Sequence, residues 1–238
     1  MCKRETPDIV TASEDYARRF SGVAGDYFLA IQNQVLSELL GEMDNGTVLD
    51  VGGGHGQLVT VLRKRKCDIT ILGSDSACHN RIRQMEKNDD LKCITADLLN
   101  LPFADCSYDL VTSIRLVSHV TAWERLIDEL CRVSKKYVII DYPTVSSLNV
   151  LTPFLFRIKK EIEGNTRTYR SFSHNEIAKQ FQANNYSIVA QQGQFFLPMV
   201  LYRMLRGART LQKLESILRH VGITKTLGSP VLLLAEKN

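Results

Sequence analysis

The chain reads as an α/β fold, with a mostly parallel sheet covered by helices on both faces. Three observations predict it. Short apolar runs bounded by turn residues alternate with segments of helical periodicity along most of the 238 residues, the order of strand-helix-strand units. The first run ends in a glycine-rich elbow, Val48-Leu49-Asp50-Val51-Gly52-Gly53-Gly54-His55-Gly56, which hands over to a helical pattern near Gln57. An acid then recurs at the tips of the next two runs, Asp75 and Asp97.

The elements follow in order. Residues 13–20 and 27–40 have helical spacing and precede the first strand, with Gly22 and Gly25 breaking them apart. After the elbow, 58–65 is helical, and Ile69-Thr70-Ile71-Leu72-Gly73 is a second strand leading to Asp75. Lys92-Cys93-Ile94-Thr95 is a third, running into Ala96-Asp97-Leu98. Leu101-Pro102-Phe103 precedes a fourth, Tyr108-Asp109-Leu110-Val111-Thr112-Ser113. The helix over 123–133 carries Leu126, Ile127 and Leu130 at core spacing, and Tyr137-Val138-Ile139-Ile140-Asp141 is a fifth strand. Ser173 with Glu176 three residues on is a capping box opening a helix. A sixth strand lies at 186–190 and a terminal one at 230–235.

Composition fits one compact enzyme. With 44% hydrophobic residues, the length supplies one domain with a sizeable core. Six cysteines, Cys2, Cys67, Cys78, Cys93, Cys106 and Cys131, show neither a C-x-x-C pair nor a zinc spacing, so no metal is expected and the thiols read as reduced. Cys78 and His79 are adjacent, but neighbours on a helix point apart, which argues against a nucleophile and its base. The N-terminus has no signal-like apolar region, and no run approaches the roughly 18 residues of a membrane span; a cytoplasmic protein is expected. A net charge of +4 is too small to argue for nucleic acid.

The spacing of the elbow decides its chemistry. A dinucleotide fingerprint, G-x-G-x-x-G, would place its third glycine at position 57, which is Gln57. Here the glycines fall at Gly52, Gly54 and Gly56, with Asp50 two residues ahead. This pattern resembles motif I of the class I S-adenosylmethionine (SAM) dependent methyltransferases, and Asp75, the Ala96-Asp97-Leu98 element and the L-P-F…Y-D-L-V stretch follow in that family's order. The resemblance is firm over 46–141 and elsewhere one of layout, closest to the ubiquinone and menaquinone methyltransferase relatives. It implies a Rossmann-like, seven-stranded, mostly parallel sheet with an antiparallel last strand, helices on both faces and helical lid insertions. A single domain over 1–238 is implied, with 1–45 closing the cofactor site, 46–141 forming the SAM-binding core, and 142–170 and 195–225 forming lid and substrate insertions.

The same resemblance assigns roles. SAM is the cofactor and S-adenosylhomocysteine (SAH) the product. Asp50 faces the amino-acid end of SAM, Asp75 accepts from the ribose hydroxyls and Asp97 from the adenine amine, with Ser76, Leu98 and Ser113 as further contacts. Asp75 and Asp97 are equally suited to capping the turns that follow them. Tyr16 and Arg19 lie in the segment that closes over SAM in these relatives, an aromatic face for the sulfonium and a guanidinium for the carboxylate; the bland alternative is an amphipathic helix with its arginines in water.

On the acceptor side, His119 occupies a position where small-molecule methyltransferases often carry histidine, and it is the candidate base. Asp141, at the tip of the fifth strand, either orients His119, binds substrate or caps a loop. Arg167, Tyr169 and Arg170 are candidate substrate contacts, the arginines for an acidic group. The insertions are rich in aromatic and methionine residues, which suits a lipophilic or aromatic acceptor; they also suit a homodimer contact or, through a basic amphipathic helix, a membrane surface. The expected activity is methyl transfer to oxygen or an activated carbon of a small molecule. Competing readings are an RNA or protein methyltransferase, disfavoured by Ser113-Ile114-Arg115-Leu116 where a P-P-Y tetrapeptide would stand, a non-catalytic SAM-binding protein, and an NAD-linked oxidoreductase.

Overall fold

The structure, a computed structural model, describes residues 4–85, 91–147, 169–205 and 209–238. Helices α1 (Asp8–Thr11), α2 (Glu14–Ala17) and α3 (Gly22–Leu40) precede β1 (Thr47–Val51). Then come α4 (Val59–Lys64), β2 (Asp68–Gly73), α5 (Asn80–Met85), β3 (Lys92–Thr95), β4 (Tyr108–Ser113), α6 (Trp123–Val133) and β5 (Ser134–Tyr142). The chain ends with α7 (His174–Ala183), β6 (Tyr186–Gly193), α8 (Met199–Met204), α9 (Arg209–His220), α10 (Ile223–Leu227) and β7 (Val231–Lys237).

The seven strands form one sheet in the order β3-β2-β1-β4-β5-β7-β6. The first five strands pair in parallel, and β7 lies antiparallel between β5 and β6. The expected strand count, and the reversal of the last strand, are therefore observed. Period-two alternation assigns side chains to two cores. Leu49, Val51, Val111, Val138 and Ile140 pack against α6 and α7 residues such as Leu126, Ile127, Leu130, Ile177 and Phe181. Val48, Leu110, Ile139 and Leu232 meet Phe28, Val35, Leu36 and Leu62 of α3 and α4 on the opposite face. Each such buried Leu, Ile or Phe contributes roughly 1.5–3 kcal/mol relative to exposure.

The sequence reading broke the N-terminal helices at Gly22 and Gly25, and the structure corrects this. Helix α3 begins at Gly22 and continues through Gly25. Gly25 is there for contact rather than for a break, since a Cβ on it would collide with the backbone of Phe20 in the 3-10 turn Arg18–Phe20. The predicted capping box is present: the Ser173 hydroxyl accepts from the Glu176 amide, and Glu176 accepts from the Ser173 amide.

The 195–225 insertion assembles around one acid. Glu215 is fully buried and accepts from the Phe196 and Leu197 amides at 3.0 and 3.2 Å, the Tyr202 hydroxyl at 2.8 Å and the Thr224 hydroxyl at 2.7 Å. Of the 142–170 insertion only its two ends are described; 148–168, including Arg167, lies outside the described residues. Replacing Glu215 with Ala strands several buried donors, so Glu215→Ala should lower the stability of the protein by on the order of 3 kcal/mol, read as a shift of the urea midpoint.

Candidate active site

The strand order reverses between β1 and β4, and in open α/β sheets the crevice beyond the carboxyl ends at that point receives ligands. The elbow fills one wall of it. Gly52 and Gly56 sit at φ +77 and +66, where a side chain is strained. A Cβ at Gly52 would lie 2.9 Å from Leu116 Cδ2, one at Gly56 2.9 Å from Ile82 Cγ1, and one at Gly54 would collide with the Cys78 carbonyl and crowd Ala12. The missing side chains thus let three protein segments press against the elbow from behind.

Asp50 is the electrostatic centre of the site. It is 3% exposed, and among the described residues its carboxyl accepts one hydrogen bond, from the Thr112 hydroxyl on β4 at 2.9 Å. Burial pushes its carboxyl up to about 7, and the Thr112 bond offsets only part of that. A carboxylate held this dry is completed by a cationic ligand. Further along, Asp75 at the tip of β2 is exposed, and its Oδ1 caps the 3-10 turn Ser76–His79 by accepting from Ala77 N at 2.9 Å, with the Ser76 hydroxyl at 3.5 Å. Asp97, past β3, accepts from Leu99 N at 2.9 Å through Oδ1. Each acid therefore makes the capping bond foreseen as its alternative role and keeps a second oxygen outside it. Leu98 turns its side chain into the main core, which leaves its backbone as the part that can meet a ligand. Ser113, fully buried at the end of β4, has an Oγ without a hydrogen-bond partner.

An N-terminal strap crosses the strand tips. Arg4 donates to the Ser74 carbonyl at 2.7 Å, and Glu5 accepts from the Thr121 and Ala122 amides. Asp8, buried, accepts from the amide and hydroxyl of Ser74 and from the Cys78 thiol. Tyr16 lays its ring 5.2 Å from that of His55 in the elbow and 5.5 Å from Phe20, and the Arg19 guanidinium stacks on Tyr16 at 5.2 Å. Tyr16 thus lies beside the elbow, with Arg19 on its ring. The Cys78–His79 pair is structural: burial and Asp8 push the Cys78 thiol up to about 12, and His79 bonds the Ile94 carbonyl at 3.2 Å.

Asp141, at the end of β5, holds the loop that follows β4. Its Oδ1 accepts from the Arg115 amide at 2.5 Å, pinning the loop after β4, and burial raises its carboxyl to about 6. His119 ends the 3-10 turn Val117–His119, and its ring lies 5.8 Å from Tyr169. Arg170, expected to bind substrate, is occupied elsewhere. Its guanidinium pairs with Glu176 at 3.0 Å and packs 5.2 Å from Trp123 and from Phe172, while its amide donates to the Ser118 carbonyl. Sequence reasoning passed over Arg115, Gln32 and Asp8. The one available signal for Arg115 was a lone charge in an apolar run just past a strand tip. Among the described residues no group of histidine, cysteine and acidic side chains is placed to hold a metal ion.

With this geometry in hand, the similarities are informative. A family profile described as "Methyltransferase domain" matches residues 49–140. The chain is 26% identical over 226 residues to malonyl-[acyl-carrier protein] O-methyltransferase of Pectobacterium atrosepticum, covering 92% of this chain and 85% of that protein. It is 29% identical over 106 residues to the ubiquinone/menaquinone biosynthesis C-methyltransferase UbiE of Laribacter hongkongensis, which takes in 41% of this chain and 43% of the relative. Magnesium protoporphyrin IX methyltransferase of Synechocystis, solved with bound SAH, superposes with a TM-score of 0.63 at 14% identity, covering 94% of each chain.

The buried acids set a pH dependence. Asp50 and Asp141 have folded values near 7 and 6 against 3.8 in the ordinary state, so above pH 4 the folded protein holds protons that the unfolded chain has released. Stability of the ligand-free protein should therefore fall as pH rises from 4 to 7, by up to about 1.4 kcal/mol per pH unit and group. Asp50→Asn should flatten that slope in chemical denaturation series, leaving the part due to Asp141.

Proposed function

Because this chain carries a class I SAM-dependent methyltransferase domain on a seven-stranded sheet, we propose that it methylates oxygen or an activated carbon of a small, lipophilic or aromatic acceptor. The observation that carries the cofactor assignment is Asp50, a buried carboxylate with a single hydroxyl partner beside a glycine elbow. The residues present fit the group: Asp50 suits its ammonium, the second oxygens of Asp75 and Asp97 suit ribose hydroxyls and adenine amine, and the Tyr16 face suits a sulfonium. SAM supplies an electrophilic methyl group with a neutral thioether as leaving group. The protein's own contribution is alignment of the acceptor and exclusion of water. His119, between the tip of β4 and the Tyr169 ring, is positioned to take the acceptor's proton on a ring nitrogen.

The small-molecule reading draws support from relatives named for acyl-carrier, quinone and porphyrin chemistry. The aromatic edge formed by His119 and Tyr169 points the same way. Methylation of RNA or protein remains the second reading, and the place of a P-P-Y tetrapeptide is filled by Ile114, Arg115 and Leu116. We assign the protein to the cytoplasm on its thiols, since Cys67, Cys78, Cys93, Cys106 and Cys131 are all free. Among the described residues no helix is long and apolar enough to cross a membrane.

The C-terminal insertion suits a lipid surface. Leu214, Ile217 and Val221 are exposed along one side of α9 and its extension, Ile217 to 61%. Between 195 and 235 the sequence holds six arginines and lysines against one acid, Glu215, which is turned inward. Arg209, Lys213 and Lys225 are exposed in the same segment, and cations beside a projecting apolar ridge suit an anionic interface.

Calorimetric titration with SAH tests the cofactor, and loss of binding in Asp50→Ala tests its anchor; a wild-type protein that binds no SAH at millimolar concentration overturns the assignment. In acceptor screens that read SAH release, His119→Ala should lower kcat by about 100-fold or more while leaving SAH affinity near wild type. Sedimentation with phosphatidylserine vesicles should retain the protein, and Ile217→Glu with Lys213→Glu should release it. A dimer in solution that the same double substitution splits would assign the ridge to a second copy instead.

A further inference from the structure

A buried acid and a partly buried guanidinium flank the elbow, and among the described residues neither is in an ion pair. The acid is Asp50, bonded by one neutral hydroxyl. The cation is Arg115, two residues beyond β4, in the left-handed region at φ +62, a conformation that non-glycine residues occupy at a cost and that gathers at functional sites. Its Nη2 donates to the neutral amide oxygen of Gln32 at 2.6 Å, its plane stacks 3.6 Å from the centroid of Phe20, and its buried Nη1 has no partner among the described residues. Among the described residues no carboxylate stands within ion-pair distance of this guanidinium; Tyr16 and Asp141 are near enough to attract it and Arg203 of α8 to repel it. Asp141, the nearest acid, is committed through Oδ1 to the Arg115 amide.

Asp50 and Arg115 sit on adjoining elements where β1 and β4 part company. Asp50 is in register with Thr112 across the β1–β4 pair, and Arg115 follows three residues later where the strand order reverses. Gln32, which fixes the guanidinium, also donates to Gln57 at the start of the helix after the elbow, at 3.4 Å. Burying two opposite charges apart from each other is costly unless something brings both countercharges at once. A group with an ammonium and a carboxylate on one carbon does so. We propose that Arg115 binds the α-carboxylate of the methionine half of SAM, opposite Asp50 on its ammonium, and that Gln32 and Phe20 hold the guanidinium in place for it.

This assignment rests on SAM being the ligand of the elbow, and it moves the carboxylate contact from Arg19, which stacks on Tyr16, to a residue that no motif marks. The test is titration calorimetry with SAH and with its decarboxylated analogue, which keeps the ammonium and lacks the carboxylate. Wild-type protein should prefer SAH over the analogue. Arg115→Gln should weaken SAH by about 10- to 100-fold and the analogue by less than about twofold, as expected for a charge-assisted bond to the carboxylate alone. Gln32→Leu, which keeps the charge but removes its anchor, should lose part of the same preference, and it decides the question if Arg115→Gln does not fold. Unchanged SAH affinity in Arg115→Gln overturns the proposal, as does an equal loss of both ligands or a Gln32→Leu protein with full discrimination. A wild-type protein that binds neither ligand defeats the SAM reading itself, an outcome distinct from binding that ignores Arg115.

Discussion

The structure turns on a carboxylate placed where a sheet cannot solvate it. Asp50 lies one residue before the end of β1, in register with Thr112, and its hydroxyl bond is the sole compensation for the water it has lost. The divergence of β1 and β4 at the switch in strand order opens a crevice beside it that neither strand can fill. The elbow is rigid because protein packs behind it: Leu116, Ile82 and the Cys78 carbonyl stand where side chains would otherwise be. A rigid backbone with its acid under-bonded is organised before any ligand arrives, which lowers the entropy cost of binding.

Counting the donors around each buried acid separates scaffold from site. Glu215 has four, from two amides and two hydroxyls, and it ties the C-terminal helices together. Asp8 has three, from Ser74 and Cys78, and it fastens the strap to the tip of β2. Both are satisfied networks of the kind that fixes a unique arrangement. Among the described residues Asp50 has one donor and Asp141 only the Arg115 amide beside its own, and burial raises both. Perturbed, under-bonded carboxylates mark a place kept ready for chemistry, so buried acids serve as scaffold in one setting and as site in another.

The sequence exposed the parts of this design that depend on local rules. Period-two strands, the N-cap at Ser173 and the acids at Asp50, Asp75 and Asp97 were visible because each is dictated by neighbours a few residues away. Gly22 and Gly25 misled for the same reason: glycine is a helix breaker by propensity, and only the approach of the Phe20 backbone, a tertiary fact, explains its place inside α3. Arg170 looked like a ligand-binding cation until Glu176, Trp123 and Phe172 surrounded it. Arg115 gave no motif at all. Its environment comes from Gln32 on α3 and Phe20 in the strap, segments far apart in the chain, and no short window of sequence contains them together.

The acceptor side of the crevice is positioned by packing more than by charge. The exposed pair between Arg170 and Glu176 is worth little alone, but the Arg170 guanidinium is also wedged against Trp123 and Phe172, and its amide reaches the Ser118 carbonyl. Those contacts fix the residue that follows Tyr169, so Tyr169 is delivered beside His119 by the capped start of α7. Ser118, one residue before His119, is thereby bound to the same structure. A single bridged edge, in which Thr144 pairs with Phe172, then joins this assembly to the end of β5. The Tyr169 ring and the candidate base are thereby tied to the ends of β4 and β5.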